Sequence, residues 1–334
     1  MDPIKFGVVG LATSHPMTLT ELLEKHGFAM SFLAYDDTQD EENERAATLQ
    51  QKYPGVQIVA NAAAMVAAGV QATMCCTQAH RHLADCAALI EARVPCFLEK
   101  PLAPDYAQGK QILDLVRQHD APFMTGSVRY FSPNYREVFA AIREGKIGTP
   151  LFVECFEPHG TRPGYWQDLK SASGGLAINY GIHVADPIVA ALGPEVVAVH
   201  AFAAKQSVPM ADSEDTAIFL AQFQSGAIGI GKACGGYHFG AGHPVPTVGH
   251  FIAHGTEGAL ETYLEPSDVR QYRGASFEHS AAGERRGGFP AAAAAFAEMV
   301  ATGQRPMSIE HMDATMRLLD GARRSLDTGK AVSV

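Results

Sequence analysis

Apolar and polar positions in the first 126 residues alternate between two periods. Short runs of branched or small apolar side chains occupy residues 4–10, 28–35, 57–60, 72–76, 94–98 and 122–126. Between them lie stretches with helical spacing at 19–25, 41–52, 82–92 and 106–119; in the third, Leu83, Ala87, Leu89 and Ile90 share one stripe. Short apolar runs separated by amphipathic helices predict βαβ units on a parallel sheet. Such crossovers are right-handed and leave ligands at the carboxyl ends of the strands. The second half reads differently. Residues 151–156, 196–202, 216–223 and 227–231 read as strands, with a hairpin signal at Gln224, Ser225 and Gly226. Helices are expected at 290–301 and 309–326, the latter opened by Ser308 with Glu310 close behind. The expected fold class is α/β: a Rossmann doubly wound parallel sheet over residues 1–125, then a second α/β domain over 126–334.

Composition narrows the function. A chain of 334 residues suits two domains of roughly 150 residues each. With 47% hydrophobic and 19% charged residues it is no disordered segment. The net charge of −10, without a basic run, offers no footprint for a phosphate backbone, so no nucleic acid is expected. Asp2 and Lys5 flank a short apolar start without a basic n-region or small-residue cleavage site, so no secretory leader is expected. The Ala-rich stretch 291–297 ends at Glu298, too short to span a bilayer, so no membrane association is expected. Six cysteines without Cys-x-x-Cys spacing point to reduced thiols and a cytoplasmic protein.

Three strand ends carry candidate chemistry. After the first strand, Gly10, Ala12, Thr13, Ser14 and His15 form a candidate phosphate loop. A dinucleotide fingerprint wants glycine for the tight turn, for close approach to pyrophosphate and for helix packing. Here only Gly10 remains; Ala12 and His15 replace the others. Asp36, after the second strand, is placed to accept hydrogen bonds from the adenosine ribose and to repel a 2′-phosphate, favouring NAD over NADP. The competing reading of Asp36 is an acidic turn feeding the next helix. The third strand end is Glu99-Lys100-Pro101, where proline restricts Lys100 to extended backbone.

At this point the sequence resembles the glucose–fructose oxidoreductase, inositol dehydrogenase and MocA family over nearly its whole length. Residues 94–102 are similar to its fifth strand with the Glu-Lys-Pro signature. Thr77 through His82 resembles its Thr-Pro-x-x-x-His segment, with Gln78 in place of proline. Residues 128–135 resemble the family's passage into the second domain. Gly174, Gly175, Asn179, Gly181, His183 and Asp186 resemble its Gly-Gly-x-x-x-Asp-x-Gly-x-His-x-x-Asp helix. The resemblance implies a large, mostly antiparallel open sheet in the second domain, and Thr77, His82, Glu99 and Lys100 at the cofactor.

It also implies a catalytic set of Lys100, Asn179 and His183. Spacing of four puts Asn179 and His183 on one helix face. His183 is then the general base for a substrate hydroxyl, and Lys100 stabilises the developing alkoxide. The family usually carries aspartate where this chain has Asn179, so no carboxylate backs the histidine.

The expected activity is NAD-dependent hydride transfer from a sugar, polyol or sugar acid. The alternatives are a binding or regulatory protein without turnover, and a non-redox lyase or hydrolase that retains NAD. Arg129 and Arg162 are candidates to grip a carboxylate; His159, Arg162, Tyr165 and Trp166 lie in a Pro- and Gly-containing loop before the Asn179 segment, Trp166 reading more as packing. His15, His80, His82 and His183 are considered as metal ligands, but no Cys or carboxylate completes a recognised spacing and no metal is expected. Residues 235–254, with His238, His243, His250 and His254, read as a long loop entering a strand. The uncovered face of a large sheet predicts a homodimer or homotetramer.

Overall fold

In the computed structural model, residues 2–238, 249–263, 269–273, 276–280 and 288–334 are described. The chain divides into two compact units, Met1–Ala103 with Ala107–Thr125 and Phe289–Ile309, and Pro104–Tyr106 with Gly126–Gly288 and Glu310–Val334.

The first unit is built on six parallel strands, β1 (Ile4–Val9), β2 (Phe28–Ala34), β3 (Gln57–Ile58), β4 (Ala72–Cys75), β5 (Cys96–Leu98) and β6 (Phe123–Met124), ordered β3-β2-β1-β4-β5-β6. This is the doubly wound dinucleotide-binding order, with the reversal of winding beside β1 and β4. Helices α1 (His15–Glu24), α2 (Asp40–Lys52), α3 (Ala62–Ala67), α4 (His82–Glu91) and α5 (Tyr106–His119) connect the strands. The first begins four residues before the apolar spacing starts, because Pro16 sits in its first turn, where its missing N–H costs nothing. The helix Gly288–Thr302 also belongs here from Phe289 onward, whereas a single division after residue 125 assigns it to the second domain. Its buried Phe296 ring lies 6.2 Å from Phe6, 6.0 Å from Phe28 and 6.1 Å from Phe97. Burial of Ala292, Ala293, Phe296 and Met299 is what ties it there.

The second unit opens with α6 (Val128–Phe131) and α7 (Pro133–Arg143), then β7 (Pro150–Thr161) and the short helices α8 (Lys170–Ser173), α9 (Leu176–Asn179) and α10 (Ile182–Leu192). There follow β8 (Val196–Ala204), β9 (Thr216–Phe223), β10 (Ile228–His238), β11 (His250–Gly255), β12 (Ala259–Tyr263), β13 (Val269–Arg273) and β14 (Ser276–Ser280). The helix Gly288–Thr302 is α11 in chain order; α12 (Ile309–Thr328) and β15 (Val332–Ser333) finish the chain. The strands form one sheet, β14-β13-β12-β11-β7-β10-β9-β8-β15, antiparallel except where β10 runs parallel to β7. The expected hairpin joins β9 to β10, closed by Phe223 N–H donating to the Ala227 carbonyl.

Two expectations change. β7 and β10 run well past their apolar cores, because they stay paired as far as Thr161, with a register shift between Gly236 and Tyr237, so His159 is a strand residue and residues 235–238 are not loop. His243 lies outside the described residues. In addition, Asn179 and His183 do not share one helix: α9 ends at Asn179 and α10 starts at Ile182, with a 49° bend between the α8–α9 segment and α10. Gly181 makes the break. Its N–H reaches back five residues to the Leu176 carbonyl, and a Cβ there would meet the Ala177 oxygen at 1.9 Å.

One sheet face carries Val153, Cys155, Ala217, Phe219 and Ala221, all buried, and α10 packs on it. The other carries cross-strand rows such as Phe202–Ile218–Lys232–Phe156–His250, of which Phe202 is 62% exposed.

Candidate functional site

In the first unit the strand-end loop is shaped by Gly10, with φ +81°. A side chain there would meet Thr77 Cγ2 at 2.3 Å and the Cys76 carbonyl at 2.8 Å, so β1 and β4 approach too closely for anything but glycine. The amides of the loop are then sorted. Gly10 donates to the Ala34 carbonyl, Ala12 to the Cys76 carbonyl, and Leu11 to Glu42 Oε2 at 3.0 Å. Among the described residues, the Thr13 and Ser14 amides have no acceptor; they precede α1, the position at which helix N-termini bind anions.

Glu42, missed in the sequence reading, also accepts the Asp36 amide at 3.1 Å and so clamps the β1 and β2 ends together. Burial pushes its carboxyl up from the usual glutamate range. The only prior signal was its place in the first turn of α2, which reads as a helix-dipole carboxylate. Asp36 itself accepts from the Thr38 hydroxyl and amide and pairs with Arg81 at 3.0 Å. These bonds hold its carboxyl below the usual range, the Thr38 hydroxyl first among them.

His15 turns to Glu99, Nδ1 to Oε2 at 2.8 Å, and its ring packs edge-on to Phe289. Glu99 is buried, which works to raise its carboxyl, but His15 and then Lys100 outweigh burial and hold it low. Lys100 is buried and precedes a cis peptide to Pro101. His82 is fully buried, with ring nitrogens facing the Leu102 and Thr77 carbonyls at 3.2 and 3.0 Å. Burial works to lower its pKa and outweighs the two carbonyl contacts, which favour the charged ring; the ring bridges the β4 and β5 loops from inside. Thr77 is buried in that same loop.

In the second unit, His183 lies in the first turn of α10 and its Nδ1 is 2.8 Å from Ser127 Oγ. The Ser127 amide donates to Asp186 Oδ2 at 2.7 Å, and His311 Nε2 lies 2.5 Å from Asp186 Oδ1. Cys155 Sγ reaches the His183 carbonyl at 3.9 Å. Asn179 is fully buried and donates to the Gln167 carbonyl at 3.3 Å. Ser127 and His311 had no sequence signal; long-range contacts of polar residues leave none.

The loop residues separate. Arg129 is not turned to a carboxylate ligand: its guanidinium forks onto Glu157, 2.8 Å at the shorter contact, so an internal anion already occupies it. Arg162 is exposed and lies over the Tyr165 ring at 4.7 Å. Trp166 is buried. Among the described residues no group of three or more His, Cys, Asp or Glu is arranged to hold a metal, and no single helix is long and apolar enough to cross a membrane.

Comparison with known proteins identifies this arrangement. Residues 4–127 match the oxidoreductase family with an NAD-binding Rossmann fold, and residues 135–261 match the GFO/IDH/MocA C-terminal domain. The chain belongs to the GFO/IDH/MocA oxidoreductase family. A myo-inositol 2-dehydrogenase of Thermotoga maritima is 24% identical over 270 residues, 79% of this chain and 80% of that protein. Among solved structures, an aldose-aldose oxidoreductase from Caulobacter crescentus complexed with glycerol superposes with a TM-score of 0.83 at 18% identity, covering 99% of this chain and 100% of that one. An oxidoreductase from Agrobacterium radiobacter in complex with NAD+, L-tartaric acid and magnesium gives 0.79 at 19% identity, covering 98% of each chain.

The chain carries Glu99-Lys100-Pro101 at the end of β5 and His183 in α10, with Ala12, His15 and Asn179 where the sequence reading expects glycine, glycine and aspartate. The nucleotide loop nonetheless fits a dinucleotide: a glycine cradle, two amides without an acceptor ahead of α1, and a ribose-type carboxylate at the end of β2.

Proposed function

We propose that this enzyme is an NAD-dependent dehydrogenase of a sugar, polyol or sugar acid. The observation that carries the reading is the pairing of a dinucleotide loop built around Gly10 and Asp36 with the retained Lys100 and His183. Gly10, Ala12, Thr13, Ser14 and His15 would hold the pyrophosphate, and Asp36 the adenosine ribose. Thr77, His82, Glu99 and Lys100 support the nicotinamide end. When bound, the nicotinamide supplies the hydride chemistry. His183 exchanges a proton with the substrate oxygen, and the Lys100 ammonium steadies negative charge on that oxygen. Asn179 hydrogen-bonds the substrate, and the loop at Arg162, Tyr165 and Trp166 sets its selection. Relatives named as inositol dehydrogenases support a polyhydroxylated substrate.

The apolar row around Phe202, Ile218 and Leu220 is the surface on which a second copy of the chain pairs, giving a dimer or tetramer. Six cysteines without Cys-x-x-Cys spacing support a cytoplasmic location.

The test is calorimetry with NAD and NADP, followed by turnover with inositols, aldoses and aldonic acids. Micromolar NAD binding with reduction by a member of that panel is expected. Binding of neither nucleotide below about millimolar, a free energy weaker than about −4 kcal/mol, would overturn the reading.

A further inference from the structure

A closed circuit of contacts joins His183 to an ion pair within the second unit. His183 Nδ1 meets Ser127 Oγ at 2.8 Å, and that oxygen accepts the Arg129 amide at 3.1 Å. The Arg129 guanidinium forks onto Glu157, Nη2 to Oε1 at 2.8 Å and Nε to Oε2 at 3.3 Å. Glu157 lies two residues along β7 from Cys155 and so on the same face of the sheet, and Cys155 Sγ returns to the His183 carbonyl at 3.9 Å. The pair therefore stands beside the histidine that the proposed function sets at the substrate.

Each partner limits what the other can bind. Glu157 is buried on the sheet face that α10 covers, where a carboxylate without a counter-charge is costly, so Arg129 is held to it. Burial disfavours the guanidinium charge, and Glu157 more than restores it. Two guanidinium N–H groups go to Glu157 and the rest still donate; Arg129 is the more open side chain, 23% exposed against 9%. To a ligand the pair is a neutral fork, with donors on Arg129 and acceptor lone pairs on Glu157. A hydroxyl both donates and accepts, and matches it. A carboxylate only accepts, and would share the guanidinium with a fixed anion of its own sign, a juxtaposition that counts for most away from bulk water. Asp186, bonded to the Ser127 amide and with His311 on its other oxygen, adds a further carboxylate. The other candidate grip, Arg162, is exposed, where salt screens its charge.

We infer that Glu157 is a specificity-determining residue: by occupying Arg129 it makes the site select neutral polyols and aldoses and reject the corresponding sugar acids. The inference deepens the proposed function and rests on its placing of His183 at the substrate oxygen. It narrows the substrate class to uncharged polyhydroxylated compounds.

The experiment is calorimetry on the full chain with NADH present, so that no hydride leaves the sugar. The probes are myo-inositol and the matched pairs glucose–glucuronate and galactose–galacturonate. The wild-type chain is expected to bind the neutral member of a pair at least roughly tenfold more tightly than the acid. Glu157→Gln frees the guanidinium and should tighten the acid by roughly tenfold or more, with the neutral sugar changing less than about threefold. Glu157→Asp retains the wild-type order. Arg129→Gln combined with Glu157→Gln removes both charges, leaves no lone buried ion and should show no gain for the acid, which separates release of charge from loosened packing. An acid that the wild type binds as tightly as its neutral partner overturns the inference, as does an acid affinity unchanged in Glu157→Gln. So does a gain for the acid in the double variant, or binding of none of the probes. The wild-type preference needs no variant, so the inference is open to refutation even where Glu157→Gln does not fold. Oxidation is scored apart, by reduction of NAD: neutral sugars bound but never oxidised contradict the proposed function and leave the selectivity standing.

Discussion

His15 Nδ1 lies 2.8 Å from Glu99 Oε2, which ties the residue standing at the third glycine position of the nucleotide loop to the carboxylate next to Lys100. The pair joins two strand ends far apart in sequence, and it gives a glycine-poor loop a fixed shape by a route other than glycine.

Removing the pair leaves a buried carboxylate with less compensation. His15→Ala is expected to destabilise the first unit by about 1–3 kcal/mol at neutral pH, His15 being partly exposed. The sign with pH follows from Glu99, whose carboxyl is held low. Its contribution is full above the usual glutamate range and is lost as pH falls through the lowered value. Denaturant unfolding of both proteins across that range should show the difference shrinking on acidification; a constant difference contradicts it.

Asp36 offers the test of the proposed preference for NAD over NADP. Its carboxylate holds Arg81 at 3.0 Å. Asp36→Ser removes the charge that repels a 2′-phosphate and releases the guanidinium to meet it. NAD affinity should fall roughly tenfold, with a shift of the NADP-to-NAD ratio by about a hundredfold in the other direction, about 2.8 kcal/mol. Calorimetry with each nucleotide reads it, and an unchanged ratio would place the ribose elsewhere.

Asn179 occupies a fully buried site facing the Gln167 carbonyl. Asn179→Asp points two acceptors at each other, so the variant should lose about 1–3 kcal/mol at neutral pH and regain it as the carboxyl protonates on acidification. Thermal unfolding at two pH values checks this. Equal stability at neutral pH would mean that the amide does not need its partner.

Phe202 and Ile218 lie side by side on the open sheet face. Phe202→Glu should turn the proposed oligomer into monomer without loss of fold, measured by sedimentation with circular dichroism as control. An oligomer that persists would place the interface on another surface.

The parallel sheet was legible because β1, β2, β4 and β5 are buried apolar runs divided by amphipathic helices, a pattern local to each segment. The break between α9 and α10 was not, because helical spacing continues across Tyr180 and Gly181 while the Ala177 carbonyl blocks any side chain at 181. Helix α11 reads plainly as a helix, yet its membership of the first unit depends on Phe296 meeting Phe6, Phe28 and Phe97, which no local pattern encodes. At the site, Lys100 and His183 stood in motifs. Glu42 and Ser127 did not, since each acts through bonds to residues distant in sequence from an otherwise ordinary position.

The central claim is that Lys100 and His183 work on an oxygen whose carbon gives its hydride to nicotinamide. Ring-deuterated inositols and C1-deuterated aldoses, incubated with the enzyme and NAD, test it through the mass of the reduced nucleotide. One deuterium per reduced nicotinamide is predicted, with the rate falling at least about a hundredfold in Lys100→Met and in His183→Ala. Reduced nucleotide without deuterium, or full rates in both variants, would contradict it.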